Sequence, residues 1–169
     1  MFKNSKIFSI LLLSFFIPTL FTPLISAMIT VQSGIFLNLE SVETINSETA
    51  TSGKRVNFRV INDVIQDGVV IIKAGANAVG KIQSVNNKGM LGKPGEIAIS
   101  LTTVTAVDNT QIPISASQVY KGKDKSGTSL IVGLLLCFLF LFMKGDDGVL
   151  QSGSIIEAQI IGSPQISIE

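Results

Sequence analysis

Histidine and tryptophan are absent from these 169 residues, and cysteine occurs once. Each shortage removes a class of function. Without histidine the chain lacks the usual general base and the commonest transition-metal ligand. A single cysteine cannot hold zinc on its own, nor form a disulfide within one chain. Cys137 lies among apolar residues, which raise a thiol's pKa, so it reads as an inert apolar side chain. Charge is also scarce in either direction, with 13 Lys and Arg against 12 Asp and Glu. A nucleic-acid partner requires a basic stripe, so none is expected. The ten phenylalanines do not restore that idea, because Phe2, Phe8, Phe15, Phe16 and Phe21 fall at the N-terminus and Phe138, Phe140 and Phe142 in one apolar run.

The remaining polar clusters carry little chemistry. Gly89 to Gly95 (GMLGKPG) has a lysine but not the Gly-Lys-Ser/Thr spacing of a phosphate loop, and it precedes a strand pattern, so it reads as a turn. Asp146-Asp147 is the one adjacent acidic pair and reads as a solvated turn, since a calcium loop needs more oxygen ligands at fixed spacing. Glu40, Glu43, Asp63, Asp67 and Glu96 could supply paired carboxylates, but no pattern convenes them. The expectation is a protein with no catalytic residues, no metal and no cofactor, and not an enzyme.

What is present begins with an export signal. Lys3 and Lys6 form a basic start, Ile7 to Ile17 an apolar stretch, and Pro18 and Pro23 break it before Ser26-Ala27. Cleavage after Ala27 would place Ile25 at the third position before the cut, where a small residue is usual, so retention as an anchor is the alternative. Residues 28–169 then form a single domain in the periplasm or at the outer membrane.

Period-two alternation dominates that domain. Val56, Phe58 and Val60 alternate with Arg55, Asn57 and Arg59, and Ala78, Gly80 and Ile82 with Lys81 and Gln83. Val69 to Ile72 is a short β-branched run. Ile97, Ile99 and Leu101 open a strand whose apolar phase slips to Val104 and Ala106, as a β-bulge would make it do. Ile112 and Ile114 flank Pro113, which suits an edge or a bulge. Two late strands are expected at 154–161 and 165–169. A short repeat joins the pattern: Val31-Gln32-Ser33-Gly34, Ile72-Lys73-Ala74-Gly75 and Leu150-Gln151-Ser152-Gly153 each lead into a strand-like segment. Together these predict an all-β fold, a small antiparallel β-barrel or sandwich, with one apolar helical insertion near 130–143.

That insertion, Leu130 to Met143 (LIVGLLLCFLFLFM), is the feature a fold must accommodate. Leu130, Ile131, Val132, Leu134, Leu135, Leu136, Phe138, Leu139, Phe140, Leu141, Phe142 and Met143 are its large apolar side chains. At roughly 1.5 kcal/mol each, leaving them in water would cost on the order of 18 kcal/mol, more than the 5–15 kcal/mol by which a domain is stable. As one helix the run measures about 21 Å, short of the roughly 30 Å of bilayer hydrocarbon. Three placements are open: insertion into a membrane or an oligomeric pore, burial as a core helix, or a single span. A span would oppose the positive-inside tendency, with Lys121, Lys123 and Lys125 outside, and would separate 149–169 from the sheet. The twelve side chains are the expected membrane or partner contact.

Residues 34 to 161 also resemble the C-terminal β-barrel domain of the TrbI-like family, the pore-forming subunits of conjugation and type IV secretion machines. The residues that carry the resemblance are Leu39-Glu40, Ile45-Asn46-Ser47, Gly53, Val56, Val60, Asp63-Val64, Ile72, Gly75, Gly80, Ser84, Asp108, Ile112, Asp124 and Gly127. The chain is also similar to small exported β-domain proteins with the same Gly-turn-strand pattern. The family resemblance implies that those positions shape turns and barrel strands and that 130–143 is an excursion toward the outer membrane. It further implies partners in a membrane or envelope protein complex, with a possible homo-oligomer. A soluble periplasmic binding or scaffolding module, with the run as a core helix, is the alternative.

Overall fold

In the computed structural model of the chain, residues 27–126 and 143–168 are described. The alternation of Val56, Phe58 and Val60 makes β4 (Arg55–Val60), with those three side chains buried and the residues between them exposed. The same inward face recurs on β2 (Phe36–Ser41), β7 (Asn77–Asn86), β8 (Glu96–Thr105), β9 (Gln111–Lys121) and β11 (Ile155–Ile160). These six strands pair antiparallel in the order β11-β2-β4-β7-β8-β9 and close into a barrel when β9 meets β11. Closure removes the sheet edges that an open sheet would expose. The expected all-β barrel is therefore the observed fold.

Shorter strands decorate the barrel: β1 (Ala27–Thr30) pairs with β12 (Gln165–Ile168), β3 (Ile45–Asn46) with β10 (Val149–Leu150), and β5 (Val64–Gln66) with β6 (Val69–Ile72). The three repeat copies sit where these small strands hand over to large ones. Val31, Ile72 and Leu150 are fully buried, and Gly34, Gly75 and Gly153 each adopt positive φ, at 96°, 82° and 83°. Each glycine turns the chain into a barrel strand, β2, β7 or β11, using a backbone region in which other residues are strained. A further turn of the same build at Gly53 (φ 88°) feeds β4.

The phase slip in β8 is a register shift between Leu101 and Thr103. Pro113 pairs with Thr103 at that shift, so the missing N–H falls at a bulge, one of the two placements expected for it. The core is filled by the strands' own side chains, with Phe58, Leu39, Ile82, Ile97, Ile112 and Ile160 among the fully buried. Asp108 fastens the C-terminal strand from outside. One of its oxygens accepts from the Ser167 N–H at 2.9 Å and the Thr110 hydroxyl at 2.7 Å. Burial pushes the Asp108 carboxyl up, but the bonds from Ser167 and Thr110 outweigh it and hold the pKa below the ordinary carboxylate value.

Candidate functional site

β7, β8 and β9 are the longest strands, and their far ends share a row in which Asn86 pairs with Glu96 and Glu96 with Lys121. The β7–β8 loop, residues 87–95, lies at this end, and the chain leaves β9 for the apolar run from the same end. We call residues 122–126 the outgoing leg and 143–148 the returning leg. The returning leg delivers the chain to β10.

The β7–β8 loop lies between the two legs and bonds to both. Gly92 donates its N–H to the Met143 carbonyl at 2.8 Å and accepts the Lys125 N–H on its own carbonyl at 3.0 Å. Gly95 repeats the arrangement, donating to the Asp146 carbonyl at 2.8 Å and accepting from Gly122 at 2.9 Å. The Asp146 N–H reaches the Lys123 carbonyl at 3.4 Å. The outgoing leg at Lys125 and the returning leg at Met143 are thus both bonded to one residue, Gly92, at one end of the barrel.

Only glycine allows so close an approach. A Cβ on Gly122 would fall 2.1 Å from the Asp146 carbonyl oxygen, on Gly145 2.4 Å from that of Lys93, and on Gly148 2.4 Å from that of Tyr120. At Gly92 it would meet the Lys125 backbone at 2.3 Å, and at Gly95 the Ser47 hydroxyl at 2.3 Å. Five glycines from three separated segments therefore make a collar where the two legs meet the β7–β8 loop. The segment GMLGKPG is the turn its sequence predicts, and it also grips both legs. A signal for this was available in the matched spacings Gly92-x-x-Gly95 and Gly145-x-x-Gly148.

Charge locks the collar to the barrel. Asp147 is not in a solvated turn: its side chain is 15% exposed and accepts from the Lys88 ammonium at 2.7 Å and from the Ser47 hydroxyl at 3.2 Å. Asp146 pairs with Lys125 across the two legs. The Lys88 bond holds the Asp147 carboxyl below its ordinary pKa against the opposing effect of burial, and the same bond raises Lys88. Fully buried Ser47 completes the lock, donating its N–H to the Gly148 carbonyl at 2.9 Å and accepting the Gly148 N–H on its hydroxyl at 3.2 Å.

Of the twelve residues expected to contact a membrane or partner, Leu130 to Phe142 lie outside the described residues. Met143 is described, half-buried, with its carbonyl on Gly92. The helical character expected for the insertion and the export signal at 1–27, apart from Ala27, also lie outside them. Among the described residues no three His, Cys, Asp or Glu side chains gather as a metal site. An open cleft of about 540 Å³ between Val70, Lys73, Val107, Asn109 and Ile168 contains, among the described residues, the carboxylate of Asp108, already engaged with Ser167 and Thr110.

No family model matches the chain, and no curated protein does. Among solved structures it is similar to ComB10 of the Com type IV secretion system of Helicobacter pylori, at 14% sequence identity. That likeness covers 79% of this chain and 88% of the other, with a TM-score of 0.47, a remote resemblance.

Proposed function

We propose that this chain is a non-enzymatic, exported envelope protein whose barrel carries the apolar run 130–143 into a membrane. The single observation that supports this most is the bridging of both legs by Gly92 and Gly95. The barrel closes on itself and fills its core with its own strands' side chains, and this supports carrying the apolar segment outward. The alternative is a helix packed on the barrel's outside, since a helix about 10 Å across has no room within six strands whose own side chains fill the interior.

Chain length sets the depth. Residues 127–142 leave and return to one place, so about half of them lead outward, reaching ~12 Å as a helix. Even fully extended they would reach ~26 Å, and extended backbone leaves polar groups unsatisfied in lipid. Both fall short of the roughly 30 Å hydrocarbon thickness, so one copy anchors in one leaflet instead of crossing. Membership of a secretion- or conjugation-pore-like assembly, with several copies or envelope partners around a shared axis, follows the family resemblance carried by Leu39, Gly53, Gly80 and Asp108. No nucleic-acid partner, cofactor or metal belongs to this reading.

Carbonate extraction of membranes from cells making the full chain, beside a variant with 130–142 replaced by a short Gly-Ser linker, tests it. The full chain should stay with the membrane, and the variant should be soluble with an unchanged urea midpoint. A full chain released by carbonate would overturn the proposal.

A further inference from the structure

The collar has a second apolar feature that the proposed anchor does not use. At the tip of the β7–β8 loop, Met90 is 59% and Leu91 39% exposed. Other exposed apolar residues, such as Met28, Phe36 and Ile155, stand singly on strands, which is ordinary for a protein surface. Met90 and Leu91 differ in backbone as well as in pairing. Leu91 adopts φ 59° and the next residue, Gly92, φ 71°. Left-handed backbone costs a leucine about 1–2 kcal/mol, and an asparagine there would meet the turn without exposing apolar surface. The fold thus holds two apolar side chains out from a strained turn, and Gly92 joins that turn directly to Met143, the last residue of the apolar run.

Charge around the tip has one sign to spare. Lys88 and Lys125 are committed to Asp147 and Asp146. Lys93, Lys123 and Lys144 are exposed and form no ion pair among the described residues. Two carboxylates at this end form no ion pair among the described residues: Asp124, bonded to the Ser126 N–H, and Glu96, which faces Lys121 in register, so the lysines remain in excess. Lysines beside protruding apolar side chains bury their stems and keep their heads at a phosphate layer.

We propose that Met90 and Leu91 form a second lipid contact, set beside the base of the run, with Lys93, Lys123 and Lys144 engaging anionic headgroups. This rests on the reading of 130–143 as a membrane anchor, and the test separates the two. Because the chain has no tryptophan, a single substitution reports one place. The full-length variants Leu91→Trp and Phe140→Trp are mixed with phosphatidylglycerol vesicles, some carrying brominated acyl chains, with Met90→Trp as a second probe of the tip. The expected result is a blue shift and bromine quenching for both Leu91→Trp and Phe140→Trp. The triple change K93Q/K123Q/K144Q should weaken binding to these vesicles by about 100-fold, at about 1 kcal/mol per lysine, and leave phosphatidylcholine binding unchanged. A response from Phe140→Trp with none from either tip probe overturns the second contact and leaves the anchor standing. No response from any probe overturns both, and an unaltered affinity of the triple variant overturns the headgroup role.

Discussion

The Ser47 hydroxyl and the Asp147 carboxylate meet at 3.2 Å across 100 positions of sequence, and their meeting fixes where the returning leg re-enters the barrel. Ser47 has no exposure to water, and the Gly148 N–H beside it donates to its hydroxyl. Truncation to Ser47→Ala removes that acceptor and leaves a buried donor unpaired, at a cost of about 1–3 kcal/mol. Urea titration should show the loss. Exposed Ser117→Ala should stay within about 0.5 kcal/mol of the parent.

The Lys88–Asp147 pair gives the collar a pH dependence. Asp147 has a folded pKa below its ordinary 3.8, so its contribution is complete above that value and is lost as pH falls through the lowered one. Lys88 is raised above 10.5, so its part is complete below that value and disappears only as pH climbs through the raised one. Asp108 is depressed as well and adds to the acid limb. The variant Lys88→Met should therefore flatten part of the stability loss below about pH 4, and Asp108→Asn a separate part. Urea midpoints measured from pH 2 to pH 8 would reveal either change, and an acid limb identical in Lys88→Met would refute the assignment.

Close approach, not backbone conformation, is what Gly145 supplies. A methyl group there would lie 2.4 Å from the Lys93 carbonyl oxygen and 2.6 Å from that of Gly92, both backbone atoms that cannot rotate away. Gly145→Ala should splay the returning leg off the strip. Hydrogen exchange should speed up at the Gly92 and Gly95 amides, while amides of Ile99 and Ile112 in the barrel keep their protection. At Gly89 a Cβ meets nothing nearer than 3.5 Å, so Gly89→Ala should leave the exchange pattern alone.

Much of the barrel was legible because alternation and burial are local and periodic. Val56, Phe58 and Val60 announce β4 from sequence, and the slip from Leu101 to Val104 announces the bulge. The repeat glycines could be read as turns because positive φ is a property of one residue. The collar was not legible for the opposite reason. Gly95 needs its missing side chain because of Ser47, and Gly122 because of Asp146, contacts fixed only once the barrel closes. Asp147 looked solvated because its partners Lys88 and Ser47 lie 59 and 100 positions away. Strands β1, β3, β5 and β10 are two to four residues long, too short for any period to show.

The central claim is that the apolar run lies in lipid, and the chain's own cysteine sits near its middle. An environment-sensitive fluorophore attached at Cys137 of the full-length protein, reconstituted in vesicles with acyl chains brominated at graded depths, reads its position directly. Quenching strongest from bromines within one leaflet, about 12 Å or less from the collar's headgroup level, is the predicted result. A fluorophore untouched by bromine at every depth, and equally shielded from an aqueous quencher, would place the run inside protein and contradict the account.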